Sequence, residues 1–372
     1  MSIKRILSIS IFICMLVISC HSSYPSILKS TEISQPVSNE PSNQNQLRDK
    51  HKQPFSSNSI WNMPIGANAE YVPANLGQSK RVSLEINYYI ITQESDPKVP
   101  WYYPQNWGVG RCELGGEQLG LIHVPEDLIV EDATPLKTPN NAAAFLDPDG
   151  ETLIQLNPLA RCKAGGPVFG YPTPREESIY GMGITGGQGG SGLSSIGGTI
   201  RLGELLPSAP PIPHALKLLL YAHQYLYREP PGYRWPAIRS DSYAYEDDSP
   251  LKYRGVNPKL VMGTLLAIPP EIREEDLGLQ TLPGKKLFHA LQDYGGYIVD
   301  DTAWDTYAIA LENGAEDEFK STYGYSFGKD SGAFYQDINQ LFQTLSIVDN
   351  NTAETIGGGG TPRQPLAPPI GN

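Results

Sequence analysis

Proline and glycine interrupt this chain too often for long helices to form. Its 372 residues include 33 prolines and 37 glycines. Proline removes a backbone donor and glycine loosens the chain, so regular elements must be short. Between these breaks lie runs rich in β-branched and aromatic residues, the composition of strands. The pattern predicts a β-rich α+β domain: β-sandwich or jelly-roll-like sheets packed face to face, with a few short helices at one end. A hydrophobic content of 40% is enough for a core, and a net charge of −12 leaves no basic footprint for nucleic acid.

Individual segments sharpen this expectation. "RVSLEINYYIIT" (residues 81–92) reads as a strand, and "KLVMGTLLAIPP" as a buried strand stopped by its prolines. "NAAAFLDPDGETLIQLNPL" reads as a hairpin turning at residues 147–150. "GKKLFHALQDYGG" reads as a helix, with Leu287, Leu291 and Tyr294 at helical spacing and Gly295-Gly296 free to end it. "AFYQDINQLFQTL" places Phe334, Ile338, Leu341 and Leu345 on one helical side. "PHALKLLLYAHQYLYRE" suits a helix by its Leu and Ala content and a buried strand by its unbroken apolar run.

The N-terminus speaks to location. "MSIKR" is a positive start, and the apolar stretch at residues 6–19 is shorter than the roughly 20 residues that span a bilayer. "VISC", ending at Cys20, resembles the lipobox of bacterial lipoproteins. That resemblance implies a signal peptide at 1–19, fatty acylation (palmitate included) of the Cys20 thiol, and a lipid anchor in a bacterial membrane. The mature chain is then expected in the cell envelope, outside the cytoplasm. Residues 20–53 and 351–372 are poor in large apolar side chains, so a disordered tether and tail are expected around a single globular domain at 54–350. Once Cys14 leaves with the signal and Cys20 is acylated, Cys112 and Cys162 remain for a disulfide in an oxidising compartment. No cysteine or histidine spacing suggests a metal site.

Two glycine motifs deserve weighing. "GMGITG" (residues 181–186) fits the dinucleotide pattern by letter, but "GQGGSGLSSIGG" follows where a helix is required. It reads as a glycine loop able to approach a ligand closely. "GGSGL" narrowly misses the nucleophile elbow; Ser191, with Asp241 or Asp301 and His289, would complete a serine-hydrolase set, but the strand–turn–helix context is missing.

Aromatic and acidic clusters point elsewhere. "GYRWPAIRSDSYAYEDD" gathers Tyr233, Trp235, Tyr243 and Tyr245 among Arg234, Arg239 and Asp241, and "WYYPQNW" adds a second cluster. Flat apolar rings beside directional polar groups suit sugar binding; the same tyrosines also suit a wet sandwich surface. "YIVDDTAWDTYAI" carries Asp300, Asp301 and Asp305. In one straight strand Asp301 and Asp305 would stand about 13 Å apart. Across a hairpin they would face each other at about 5 Å, and would need a shared proton, a calcium ion or full solvation.

Five stretches, "SSNSIWNMPIG", "GGTIRLGELLPSAPPIPHALKL", "YRWPA", "KLVMGTLLAIPP" and "ALQDYGGYIVDDTAW", together resemble an uncharacterised group of secreted bacterial proteins. The resemblance implies one exported domain and a strand after His214, and carries no activity with it. The functional expectation is therefore an envelope protein that binds or cleaves a carbohydrate polymer. As a hydrolase it would use Asp301 and Asp305 as acid and base, with Trp235, Trp304, Tyr233 and Tyr243 binding substrate. As a lyase it would use Arg239 against a uronate and His214 or a tyrosine to remove the proton. The alternative is a non-catalytic adhesion or structural lipoprotein. No cofactor is expected beyond the calcium candidate at Asp301 and Asp305.

Overall fold

Strands form where β-branched and aromatic residues alternate between turn residues. The computed structural model describes residues 47–371 apart from residue 175. The first strands are β1 (Tyr71–Pro73), β2 (Val82–Ile91), β3 (Lys98–Tyr102), β4 (Gln118–His123), β5 (Ala143–Leu146), β6 (Thr152–Ala160), β7 (Val168–Pro172) and β8 (Glu177–Ser178). Next come β9 (Leu216–Leu220), the helical turn α1 (Ala222–Tyr225), β10 (Leu265–Ala267), α2 (Glu274–Leu277) and α3 (Leu282–Asp293). β11 (Gly296–Asp301), β12 (Tyr307–Glu312), α4 (Ala315–Tyr323), α5 (Ala333–Thr344) and β13 (Ser346–Val348) complete the set.

One mixed 13-stranded sheet results, in the order β1-β13-β10-β11-β9-β12-β2-β5-β6-β7-β3-β4, with β8 paired to β6. The fold is thus α+β and β-rich. β2 is its seam: Val82 to Asn87 pair in parallel with β12, and Tyr88 to Ile91 pair in parallel with β5. The β5–β6 hairpin forms as its sequence suggests, with Gly150 at φ +69° closing the turn.

The segment after His214 is both strand and helix. Its leucines are buried on both faces of β9, as a central strand requires, and only residues 222–225 coil. β9 lies between β11 and β12, parallel to the first and antiparallel to the second. This corrects the expected hairpin: "TAW" joins two strands that are not neighbours.

Helix α3 begins where the Thr281 hydroxyl accepts from Gly284 N at 3.1 Å, and ends before Gly295 at φ +74°. With α5 it covers the sheet through Leu287, Leu291, Ile338 and Leu341, packed in one cluster with Leu218 and Ile309. Helix α4 was not expected from its weak apolar pattern. Glu316, Asp317 and Glu318 in its first turn and Lys320 in its last complement the helix dipole.

Both ends of the described chain are part of the body. Arg48 N donates to Pro369 O at 3.0 Å, Gly371 N to Arg48 O at 3.0 Å, and Arg363 N to Ile65 O at 2.9 Å. The expected tether and tail are corrected accordingly for residues 47–53 and 351–371, because backbone pairing, which composition does not reveal, secures them. The signal peptide, Cys20 and the rest of the tether lie outside the described residues. Among the described residues no helix is long and apolar enough to cross a membrane.

Cys112 and Cys162 form a disulfide across a separation of 50 residues. On the chain-entropy argument such a loop contributes about 4 kcal/mol. Replacing both cysteines by serine is expected to lower the unfolding free energy by roughly 2–4 kcal/mol in urea titrations. An unchanged midpoint would remove this stabilising role.

Candidate functional site

A charged residue inside an apolar strand needs a reason, and β2 and β9 each contain one. Glu85 and Asn87 are two apart on β2 and share a face. They meet Lys217 of β9, which is 0% exposed. Lys217 Nζ donates to Asn87 Oδ1 at 2.6 Å, Ser195 O at 2.8 Å, Ser194 O at 2.9 Å and Gln188 Oε1 at 3.2 Å. The three shortest contacts use all three ammonium hydrogens, which a neutral amine cannot supply. Burial pushes the Lys217 pKa down, opposed by the charge of Glu85 and then of Asp300.

Gln188 passes this charge onward. Its amide Nε2 donates to Glu85 Oε1 at 2.5 Å and Asp300 Oδ2 at 3.3 Å. Asn140 Nδ2 likewise joins Glu85 Oε2 at 2.8 Å and Asp300 Oδ2 at 2.7 Å. Asp300 Oδ1 accepts from Gly190 N at 2.8 Å and Asp301 N at 3.0 Å. The glycine loop makes this possible: a Cβ on Gly189 would stand 2.4 Å from Asp300 Oδ2. Burial, then the charges of Asp241 and Glu85, push the Asp300 carboxyl well above its ordinary range. Its lone pairs are nevertheless filled by N–H donors, so Asp300 organises the site rather than reacting in it.

Asp301 is presented differently. A register irregularity between Ile298 and Asp300 shifts β11 against β9 just before the two acids. Such bulges re-aim side chains beside functional sites. Asp301 Oδ1 accepts from Ala222 N at 2.9 Å and Ala303 N at 3.0 Å, and Oδ2 accepts from the Tyr243 hydroxyl at 3.0 Å. Ala303 takes φ +58°, a strained left-handed conformation within the turn whose amide reaches the carboxylate. Burial raises the Asp301 pKa, and the two amides and the phenol resist that rise. Asp301 lines a cleft, where Tyr243 is the hydroxyl donor to its Oδ2.

Asp241 completes the cluster from the loop after Trp235. It is half-buried and accepts from the Tyr253 hydroxyl at 2.5 Å. Burial pushes its carboxyl up to about 6; the Tyr253 hydroxyl opposes the rise, and the charge of Asp301 adds to it. Tyr243, bonded to Asp301, also supports Asp241. A Cβ placed on Gly190 would lie 2.9 Å from Asp241 Oδ2 and 3.0 Å from Asp300 Oδ1. Those two oxygens, of Asp241 and Asp300, therefore stand no more than about 6 Å apart.

All four acids line one cleft of about 1620 Å³. Of the residues singled out from sequence, Asp301, Arg239, Tyr243 and Trp304 line it as well, and Trp304 is 59% exposed there. Arg239 reaches across the glycine loop, donating to Gly189 O at 2.8 Å.

The other candidates lie elsewhere. Asp305 lies in the connection before β12 and pairs with Lys80 at 3.6 Å, and β9 stands between β11 and β12. The face-to-face hairpin arrangement of Asp301 and Asp305 is therefore not formed. His214 is buried, with Nδ1 2.8 Å from Ala215 O and Nε2 3.2 Å from Glu204, and does not line the cleft. Trp235 packs against an apolar cluster and Tyr233 pairs beside Met262. Ser191 is buried while His289 meets Glu274 at 3.1 Å on the helical side, so no serine triad forms.

Sequence reasoning missed Glu85, Asn140, Gln188 and Lys217, and considered Asp241 only as a triad acid and as a polar neighbour of the aromatic cluster. Glu85 and Lys217 carried a signal, a charge within an apolar run. Among the described residues, the one trio of ligand atoms within 4.8 Å of one another is Cys112, Asp132 and Cys162, whose sulfurs are spent in the disulfide. No protein family, curated protein or solved structure matches the chain.

Proposed function

We propose that the chain is an exported, lipid-anchored glycoside hydrolase that cleaves a neutral carbohydrate polymer in the carboxylate cleft. The observation that carries this reading is that Asp241, bonded to the Tyr253 hydroxyl, and Asp301, held by the Tyr243 hydroxyl and two backbone amides, line one cleft. Asp241 is raised to about 6 and so can carry a proton near neutrality, while the donors to Asp301 oppose the rise that burial causes there.

In the proposed reaction Asp241 gives its proton to the glycosidic oxygen as the bond to the anomeric carbon breaks. Asp301 takes a proton from the water that attacks that carbon, and solvent returns the protons to their starting places. One water is consumed and two sugar ends are released. Asp300, Glu85 and Lys217 fix the polar floor, and Trp304 offers a ring for stacking beside Asp301.

Other features weigh on the alternatives. Glu85, Asp241, Asp300 and Asp301 disfavour a polyanionic substrate by like-charge repulsion. With His214 outside the cleft, the lyase reading is left with a tyrosine as its base, and Tyr243 there already donates its hydroxyl to Asp301. Burial of Asp300 and Asp301 costs stability that a purely adhesive surface has no need to bear. The sandwich-like or jelly-roll-like closure of the sheet belongs to the same reading. One apolar cluster joins Ala144 and Leu153 from one half to Leu219 and Val299 from the other. Cys20 acylation remains part of the proposal through the lipobox resemblance.

The test is release of new reducing ends from neutral polysaccharides between pH 4 and 8. Because Asp241 must carry its proton, activity is expected to fall as pH rises through about 6. A cleavage rate that stays level from pH 6 to 8 would contradict this acid assignment.

A further inference from the structure

The second aromatic cluster in the sequence forms a part of the cleft that the carboxylates do not use. Trp107 lines the cleft and is 42% exposed. Its ring lies nearly parallel to that of Tyr171, at 15° and 6.3 Å between centroids. The Arg111 guanidinium sits 5.6 Å from the same ring.

This exposed indole is held on a fixed loop. Arg111 is 0% exposed and donates from Nε to Trp107 O at 2.7 Å and from Nη1 to Pro139 O at 2.7 Å. The Asp132 carboxylate accepts from Gly110 N and Arg111 N, each at 3.0 Å. The next residue, Cys112, is tied to Cys162. Such preorganisation lowers the entropic cost of binding.

A polar group accompanies the platform. Asn157 of β6 lies directly across from Tyr171 of β7, lines the cleft and is 7% exposed. Its Nδ2 has no hydrogen-bond partner among the described residues.

Trp107 and Tyr171 therefore supply a flat apolar face on the wall of the cleft, with the polar Asn157 beside it. β7 is three strands from β2, which carries Glu85, so this patch lies roughly 14 Å away along the sheet. We propose that it is a distal subsite that binds a neutral pyranose unit of the same polymer, several rings from the bond being cut. The inference rests on the glycan reading of the cleft and names where a long substrate gains its affinity.

The test uses the full chain carrying Asp241→Asn, so that bound polymer stays intact. Affinity electrophoresis in gels containing β-glucan, xylan, mannan or arabinan identifies a polymer that retards it. Calorimetry with oligosaccharides of increasing length from that polymer then follows. Affinity is expected to climb with length, and Trp107→Ala to flatten the climb, with about 10- to 100-fold loss for the longest oligomers. Trp107→Phe keeps most of the affinity. If Trp107→Ala binds every length as its parent does, the subsite is wrong while the glycan reading stands. If none of the polymers retards the parent, the glycan reading falls and takes the subsite with it.

Discussion

Replacing Asp241 by asparagine is expected to lower cleavage of the polymer about 10²- to 10⁴-fold while leaving the fold intact. Asparagine keeps the shape and accepts the Tyr253 hydrogen bond, but has no proton to give the leaving oxygen. Since the half-buried Asp241 carboxyl is charged above about 6, the neutral amide also removes a like charge beside Asp301. Binding of intact polymer should survive or improve. Parallel rate and affinity measurements separate the two effects. Loss of binding equal to the loss of rate would make Asp241 a binding residue instead of an acid.

The second large effect concerns stability. Lys217→Met is expected to destabilise the protein by about 3–5 kcal/mol, because it leaves Glu85 and Asp300 buried without their cation. The pH dependence has a definite sign. Asp300 is held above its ordinary range in the folded state, so the folded protein binds that proton more tightly than the unfolded chain. The stability this contributes is present at low pH and lost as pH rises through the folded value. Removing Lys217 raises that value further, so the deficit should be larger at pH 8 than at pH 5. Adding Glu85→Gln should restore part of the loss. Urea titrations at the two pH values measure all three results, and an unchanged midpoint in Lys217→Met would deny the lysine its compensating role.

How much of this was legible in the sequence depends on the range of the interaction. Local patterns were readable: the alternation in β2, the "DPDG" turn between β5 and β6, and the apolar sides of α3 and α5. Sheet order was not. Nothing between residues 296 and 312 announces that β9, some 80 residues earlier, inserts between β11 and β12. That insertion keeps β11 and β12 from forming the expected hairpin and brings Lys217 beneath the acids. The glycine loop was legible as a surface for close approach, and Gly189 and Gly190 press against Asp300. Which side chain it would approach was not. Glu85 and Lys217 stood out of apolar runs in "VSLEINYYII" and "HALKLLL", and a charge in such a place is the signal a sharper reading would have followed. The order at residues 351–371 was hidden for another reason, since backbone hydrogen bonds leave no compositional trace.

The most direct measurement of the central claim is cleavage of a neutral polysaccharide in water enriched in ¹⁸O, followed by mass spectrometry of the fragments. Hydrolysis at the Asp241–Asp301 pair predicts one heavy oxygen at each new reducing end and none in the sugar that leaves. Fragments without the label, or polymers left whole across the neutral panel, would contradict it.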